Sequence, residues 1–351
     1  MLLESTLKKI QPLDRAIEVD VQQRLDSLTK PQGSLGRLEE LTSRIALIQG
    51  KVPPSIGGKV LFVFAADHGI TEEGVSAYPK EVTAQMTYNF LTGGAAINVL
   101  ARHYGIQVDV IDVGVDHEFA TPHGLRNFKV GRGTKNFSRG PAMTRSEAVQ
   151  SIETGIRLVD EIASEKPFLV GAGEMGIGNT SSATAMLCAL TGATPRAVAG
   201  RGTGIDDATL ERKIAAIERG LELNQPNSRD PLDVLSKVGE LEIGAMAGVI
   251  LGAAAFRIPV VLDGFISGAA ALIAVRLSSY VKDVLFASHL SAECGHRFLL
   301  TELGLSPLLD LQMRLGEGTG ACIAMSLIEV AAKILGEMAT FESARIAKKN
   351  Q

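Results

Sequence analysis

Glu317 stands between two glycines in Gly316-Glu317-Gly318-Thr319-Gly320, directly ahead of a long apolar stretch. A carboxylate set in so tight a turn projects into a cleft and can take or give a proton; the plainer reading is a first-turn glutamate that steadies a helix dipole. Glu174 has a similar setting in Gly173-Glu174-Met175-Gly176-Ile177-Gly178-Asn179-Thr180. Two such acids point to proton-transfer chemistry. Around them, Gly176, Gly178, Asn179 and Thr180, and then Gly202, Thr203 and Gly204, supply backbone N–H groups and hydroxyls just before helical stretches. Together they suit a single phosphate, although any one glycine need only permit a tight turn. Asp263-Gly264 and Ser288-His289-Leu290-Ser291 are further polar turns after apolar runs.

Other chemistries fit less well. Gly171, Gly173 and Gly176 match G-x-G-x-x-G, but residues 188–200 lack the acid a dinucleotide site needs for its ribose. A nicotinamide-dependent oxidoreductase is therefore the enzymatic runner-up, and a non-catalytic sensor or carrier of a nucleotide is the other alternative. Both Gly-Lys pairs are followed by Val, which excludes a P-loop. His289, Glu293 and His296 have the spacing of one helix face and Asp67 with His68 adds donors, yet locally bonded side chains explain them better than a metal. Neither metal nor cofactor is expected.

Net charge is −4 with no basic stripe, which argues against nucleic acid. Three widely spaced cysteines suggest a reducing compartment. The N-terminus lacks the features of a secretory signal, so a cytoplasmic location is expected. Met175 to Pro195 is uncharged, but Asn179 and six Ser or Thr residues favour a buried helix over a membrane span.

These candidates need a scaffold, and its pattern is legible. Short apolar runs at 59–66, 107–113, 167–172, 258–262 and 283–287 each precede a polar turn and then helical periodicity. The repeat predicts an α/β fold, a parallel Rossmann-like sheet of about five strands with crossover helices on both faces. Thr144 and Glu147 form a capping box opening one helix; Leu210, Ile214, Ile217 and Leu221 mark another. Residues 1–55 and 321–351 are expected to form a small helical domain beside a catalytic domain of residues 56–320.

Taken in order, Lys30-Pro31-Gln32-Gly33-Ser34-Leu35-Gly36-Arg37-Leu38-Glu39, Ala66-Asp67-His68-Gly69, the Gly173–Thr180 segment, Asn224-Gln225-Pro226-Asn227, Leu262-Asp263-Gly264-Phe265 and Arg314–Ala321 resemble one family. It is the nicotinate-nucleotide:dimethylbenzimidazole phosphoribosyltransferases, the CobT family of cobalamin assembly. The resemblance spans about residues 25–340. It implies transfer of 5-phosphoribose from nicotinate mononucleotide to dimethylbenzimidazole, in a homodimer, with Glu317 as general base. By the same resemblance the Gly176–Thr180 and Gly202–Gly204 turns hold the phosphate, with Ser291 and Arg314 as additions, Asp263 bonds ribose hydroxyls or caps the following helix, and Glu174 faces ribose or base from the other side. A planar acceptor needs an apolar slot, for which Tyr78, Gln85, Met86 and Leu315 are the candidates.

Overall fold

The computed structural model describes residues 1–120, 123–164 and 168–347. Pro167, first residue of one expected strand, and residues 348–351 of the expected terminal domain lie outside these. Three helices open the chain, α1 (Leu2–Lys9), α2 (Glu18–Ser27) and α3 (Arg37–Gln49). Then come β1 (Gly58–Ala66), α4 (Val82–Thr92), α5 (Ala96–Tyr104), β2 (Gln107–Gly114), β3 (Leu125–Asn127) and α6 (Arg145–Ile162). β4 (Phe168–Met175) leads into α7 (Asn179–Thr191), α8 (Pro195–Val198), α9 (Asp207–Asn224), α10 (Pro231–Val238) and α11 (Leu241–Ala255). The chain closes with β5 (Val260–Leu262), α12 (Phe265–Leu277), β6 (Leu285–Ala287), α13 (Cys294–Leu303) and α14 (Thr319–Glu337).

The strands form one parallel sheet in the order β3-β2-β1-β4-β5-β6. Val60 to Ala66 are all buried, as a strand covered on both faces requires, which is why β1 reads as an unbroken apolar run. Strand order reverses between β1 and β4. In open α/β sheets the crevice for a ligand lies at that reversal, beyond the carboxyl ends of the strands. β3 escapes sequence reading because Leu-Arg-Asn at a sheet edge is too short and too polar to signal a strand.

The expected capping box is present: Glu147 N donates to Thr144 Oγ1 at 3.2 Å and Thr144 N to Glu147 Oε2 at 2.7 Å. α6 lies against α11 so closely that a Cβ on Gly155 would overlap Ala245 O, and one on Gly248 would overlap Ile152 O. That contact sets α11, whose N-terminal end carries Glu240 and Glu242 beneath the crevice. The uncharged segment from Met175 becomes the end of β4 and then α7, which is largely buried. α14 is the one helix among the described residues long and apolar enough to cross a bilayer, and it packs against α3, α5, β4 and β5. A small apolar cluster of Val21, Leu25, Leu28, Ala46 and Leu335 joins the two chain ends, while Leu41, Ile45 and Ile328 belong to the main core.

Candidate active site

β4 runs three residues further than the apolar run at 167–172, so Gly173 and Glu174, like Gly171, are strand residues rather than parts of a turn. A Cβ on Gly173 would overlap the Glu317–Gly318 backbone, and one on Gly171 would stand 2.7 Å from Met325 Cε. These glycines therefore admit α14 and the turn before it, not a pyrophosphate. The dinucleotide reading of G-x-G-x-x-G loses its structural basis.

At the strand reversal lies a cleft of about 730 Å³. Its walls include Glu174, Gly176, Gly178, Asn179, Thr180, Gly202, Thr203, Asp263, Ser291, Arg314, Gly316 and Glu317, together with Tyr78, Met86 and Leu315. Gln85 and Gly204 are not among the lining residues. Val82 and Met86, one helical turn apart on α4, face the cleft, and Gln85 points to solvent. Gly204 is exposed, its N–H closing a turn onto Arg201 O at 2.9 Å.

Glu317 adopts φ +62°, a left-handed conformation that non-glycine residues rarely take. Its side chain is buried, and Oε2 has no hydrogen-bond partner among the described residues. Burial raises its pKa above the ordinary 4.5 and the charge of Asp263 adds to this, while the Ile97 N–H opposes it. Asp263 does not cap the helix that follows it. Its carboxylate accepts from Gly320 N (2.7 Å), Ala321 N (3.1 Å) and Gly318 N (3.2 Å), capping α14 and anchoring the Glu317 turn. Three backbone N–H groups thus fix Asp263 to the turn, and its carboxylate still lines the cleft. Burial raises its pKa too, with His289 pulling the other way.

Glu174 packs against Gly316, where a Cβ would overlap Glu174 Oε1. Its pKa is pushed up to about 8 by burial first, then by the charges of Glu242 and Asp263; a hydrogen bond from Asn179 Nδ2 opposes them. At neutral pH Glu174 is mostly a neutral acid.

Beside Asn179, the partner of Glu174, Thr180 Oγ1 accepts a hydrogen bond from Lys213 Nζ at 2.8 Å, and the same ammonium donates to Gly200 O at 2.9 Å. Lys213 is fully buried. Burial lowers its pKa to about 8, with Glu293 pulling it back up. Arg314 Nη1 donates to Gly202 O at 2.8 Å. Thr203 Oγ1 accepts from Ala77 N at 3.1 Å, tying the segment that carries Tyr78 to the Gly202–Gly204 turn.

His289, Glu293 and His296 do not share a helix face. α13 begins at Cys294, and Ser291 N donates to His296 Nδ1 at 2.8 Å; burial lowers the pKa of His296 to about 3. His289 and Glu293 instead line the cleft. The tightest grouping of metal-type donors among the described residues is elsewhere, at His68, Glu240 and Glu242. There the imidazole faces a different carboxylate with each nitrogen, an ion-pairing arrangement rather than one converging on an ion.

A family model described as "Phosphoribosyltransferase" matches residues 10–346. The nicotinate-nucleotide–dimethylbenzimidazole phosphoribosyltransferase of Citrifermentans bemidjiense is 58% identical over 346 residues, 99% of each chain. That of Chloroflexus aggregans is 55% identical over 350 residues, covering 100% of this chain and 99% of its own. The crystal structure of the Thermus thermophilus enzyme, 46% identical, superposes with a TM-score of 0.90 over 96% of this chain and 100% of its own. The chain belongs to the nicotinate-nucleotide–dimethylbenzimidazole phosphoribosyltransferase family.

For a phosphoribosyltransferase the residue that sequence reasoning missed is Lys213. Its signal was available: Lys213 sits three residues after Leu210 and four before Ile217, inside the apolar stripe of α9. A charged residue there is either solvated at an edge or buried for a purpose. Glu240 and Glu242 were missed because their partner, His68, is far away in sequence.

Glu174 also makes a stability prediction. Its folded pKa lies above its unfolded value, so the folded state binds the proton more tightly; stability falls as pH rises from about 4.5 toward about 8. Glu174→Gln mimics the protonated form. By calorimetry its melting temperature should equal that of the native protein near pH 4.5 and exceed it by several degrees at pH 8.5. A pH-independent difference would contradict this protonation state.

Proposed function

We propose that this enzyme transfers 5-phosphoribose from nicotinate mononucleotide to 5,6-dimethylbenzimidazole, releasing nicotinate and α-ribazole 5′-phosphate for the lower nucleotide loop of cobalamin. The observation that carries the reading is Glu317: a buried carboxylate with one unpartnered oxygen, lining the same cleft as the Gly176–Thr180 turn. In the donor, C1 of ribose is bonded to a pyridinium nitrogen, which leaves as a neutral ring and needs no acid. One benzimidazole nitrogen attacks C1, the C1–pyridinium bond breaks with its electrons passing to the pyridine nitrogen, and the N–H proton at the second benzimidazole nitrogen goes to Glu317. A well-placed base contributes typically about 10²- to 10⁴-fold. Its raised proton affinity suits this task.

The Gly176–Thr180 turn opens α7, and its N–H groups with the Thr180 hydroxyl hold the 5-phosphate at a helix N-terminus. Gly202 and Arg314 close the other side. Fixing the phosphate aligns C1 for attack, where most of the remaining advantage arises. Asp263 sets a negative field near C1 that favours the positive charge developing there. Glu174, mostly a neutral acid, faces the same cleft without adding a charge that would repel the phosphate. Met86, Tyr78 and Leu315 form the slot for the planar acceptor.

We read the enzyme as a cytoplasmic homodimer without nucleic-acid or membrane partners, the assembly the family resemblance implies. Nicotinate release, followed by chromatography with and without the benzimidazole, tests transfer against simple binding or hydrolysis. Release should depend on the acceptor; acceptor-independent release would mean a hydrolase, and no release a binding protein.

A further inference from the structure

His68 lies in the Asp67-His68-Gly69 turn after β1, and the reaction as described makes no use of it. Its ring is wholly buried, with Nδ1 3.0 Å from Glu240 Oε1 and Nε2 2.9 Å from Glu242 Oε1. Neither approach meets hydrogen-bond geometry, so the contacts are ion pairs in character. A neutral imidazole carries one N–H and would turn the lone pair of its other nitrogen toward a carboxylate in a buried site. Burial alone favours the neutral ring, but the two carboxylates outweigh it and raise the histidine pKa well above 6.5.

The clamp sits directly behind the phosphate turn. A Cβ on Gly176 would overlap His68 Nε2, and one on Gly178 would stand 3.5 Å from His68 Cβ. Glu240 continues the connection: its Oε1 accepts from Ser182 Oγ at 2.6 Å, and Ser182 belongs to the first turn of α7, the helix that the phosphate turn opens. Thr134 donates to its other oxygen. One cluster thus joins the turn after β1, the turn after β4 and the start of α11.

We propose that His68 is a positioning residue of the donor site: clamped between Glu240 and Glu242, it holds the Gly176–Gly178 turn from behind so that its N–H groups meet the substrate phosphate. The inference rests on the function proposed above. A backbone cradle holds a dianion well only if its donors are fixed in direction, and glycines cannot fix themselves. His68 touches no reacting atom and acts through the turn.

Steady-state kinetics on purified full-length His68→Asn, Glu242→Gln and Thr180→Val, varying each substrate in turn, test this. His68→Asn should raise KM for nicotinate mononucleotide about tenfold while KM for dimethylbenzimidazole stays within about twofold; Glu242→Gln, which keeps the volume, should raise the donor KM about threefold. A merely structural role lowers the active fraction, reducing Vmax with both KM values unchanged. Should His68→Asn fail to fold, Glu242→Gln decides alone. An unchanged donor KM in the folded variants, while Thr180→Val raises it, overturns the role of His68 and leaves the function standing. If Thr180→Val also leaves the donor KM unchanged, the phosphate turn is misassigned and the inference fails with it.

Discussion

Glu317→Gln should lower kcat/KM at least about a hundredfold while the protein still folds. Gln keeps the size and shape of Glu, so the left-handed turn and the α14 cap made by Asp263 survive, and only the proton acceptor is lost. Circular dichroism melts near those of the native protein would show that folding is intact. The native enzyme should also lose kcat/KM as pH falls, because the base must be ionised. Burial and Asp263 raise the pKa of Glu317, so that loss begins above the ordinary carboxylate value of 4.5. The acid limb should be absent from the variant. A variant with native activity would remove Glu317 from the chemistry.

Lys213→Met should cost about 2 kcal/mol in kcat/KM, roughly thirtyfold, expressed mainly in the KM of nicotinate mononucleotide. Methionine matches the length of the stem but cannot donate to Thr180 Oγ1 or Gly200 O, so the phosphate wall loses both its fastening and its buried positive charge. The native enzyme carries a pH signature as well. Lys213 is charged below its pKa of about 8 and neutral above it, so donor KM should rise as pH passes through that value. In Lys213→Met the same profile should be flat there. An acceptor KM that rises instead would place Lys213 on the wrong side of the cleft.

Much of this was legible in the sequence, for reasons particular to each element. β1 and β2 announce themselves because central parallel strands must be apolar on both faces, and α6 does so through the Thr144–Glu147 box. Glu317 was legible because its flanking glycines leave a charged residue nowhere to hide. Elsewhere local signals misled. Gly173-Glu174 looks like the start of a turn, yet β4 runs through it because Gly171 and Gly173 make room for α14 and the turn before it, a tertiary demand no local pattern reveals. Gln85 and Met86 are adjacent in sequence, but one residue along a helix turns the side chain about 100° away, and only Met86 faces the cleft. Spacing suggested a shared helix face for His289, Glu293 and His296, but α13 starts too late for that.

The central claim is that one cleft joins a phosphoribosyl donor to a benzimidazole, and product analysis tests it most directly. Purified enzyme mixed with nicotinate mononucleotide and 5,6-dimethylbenzimidazole should yield equal amounts of nicotinate and α-ribazole 5′-phosphate by chromatography. If no ribosylated benzimidazole forms from any benzimidazole tested, the claim is contradicted.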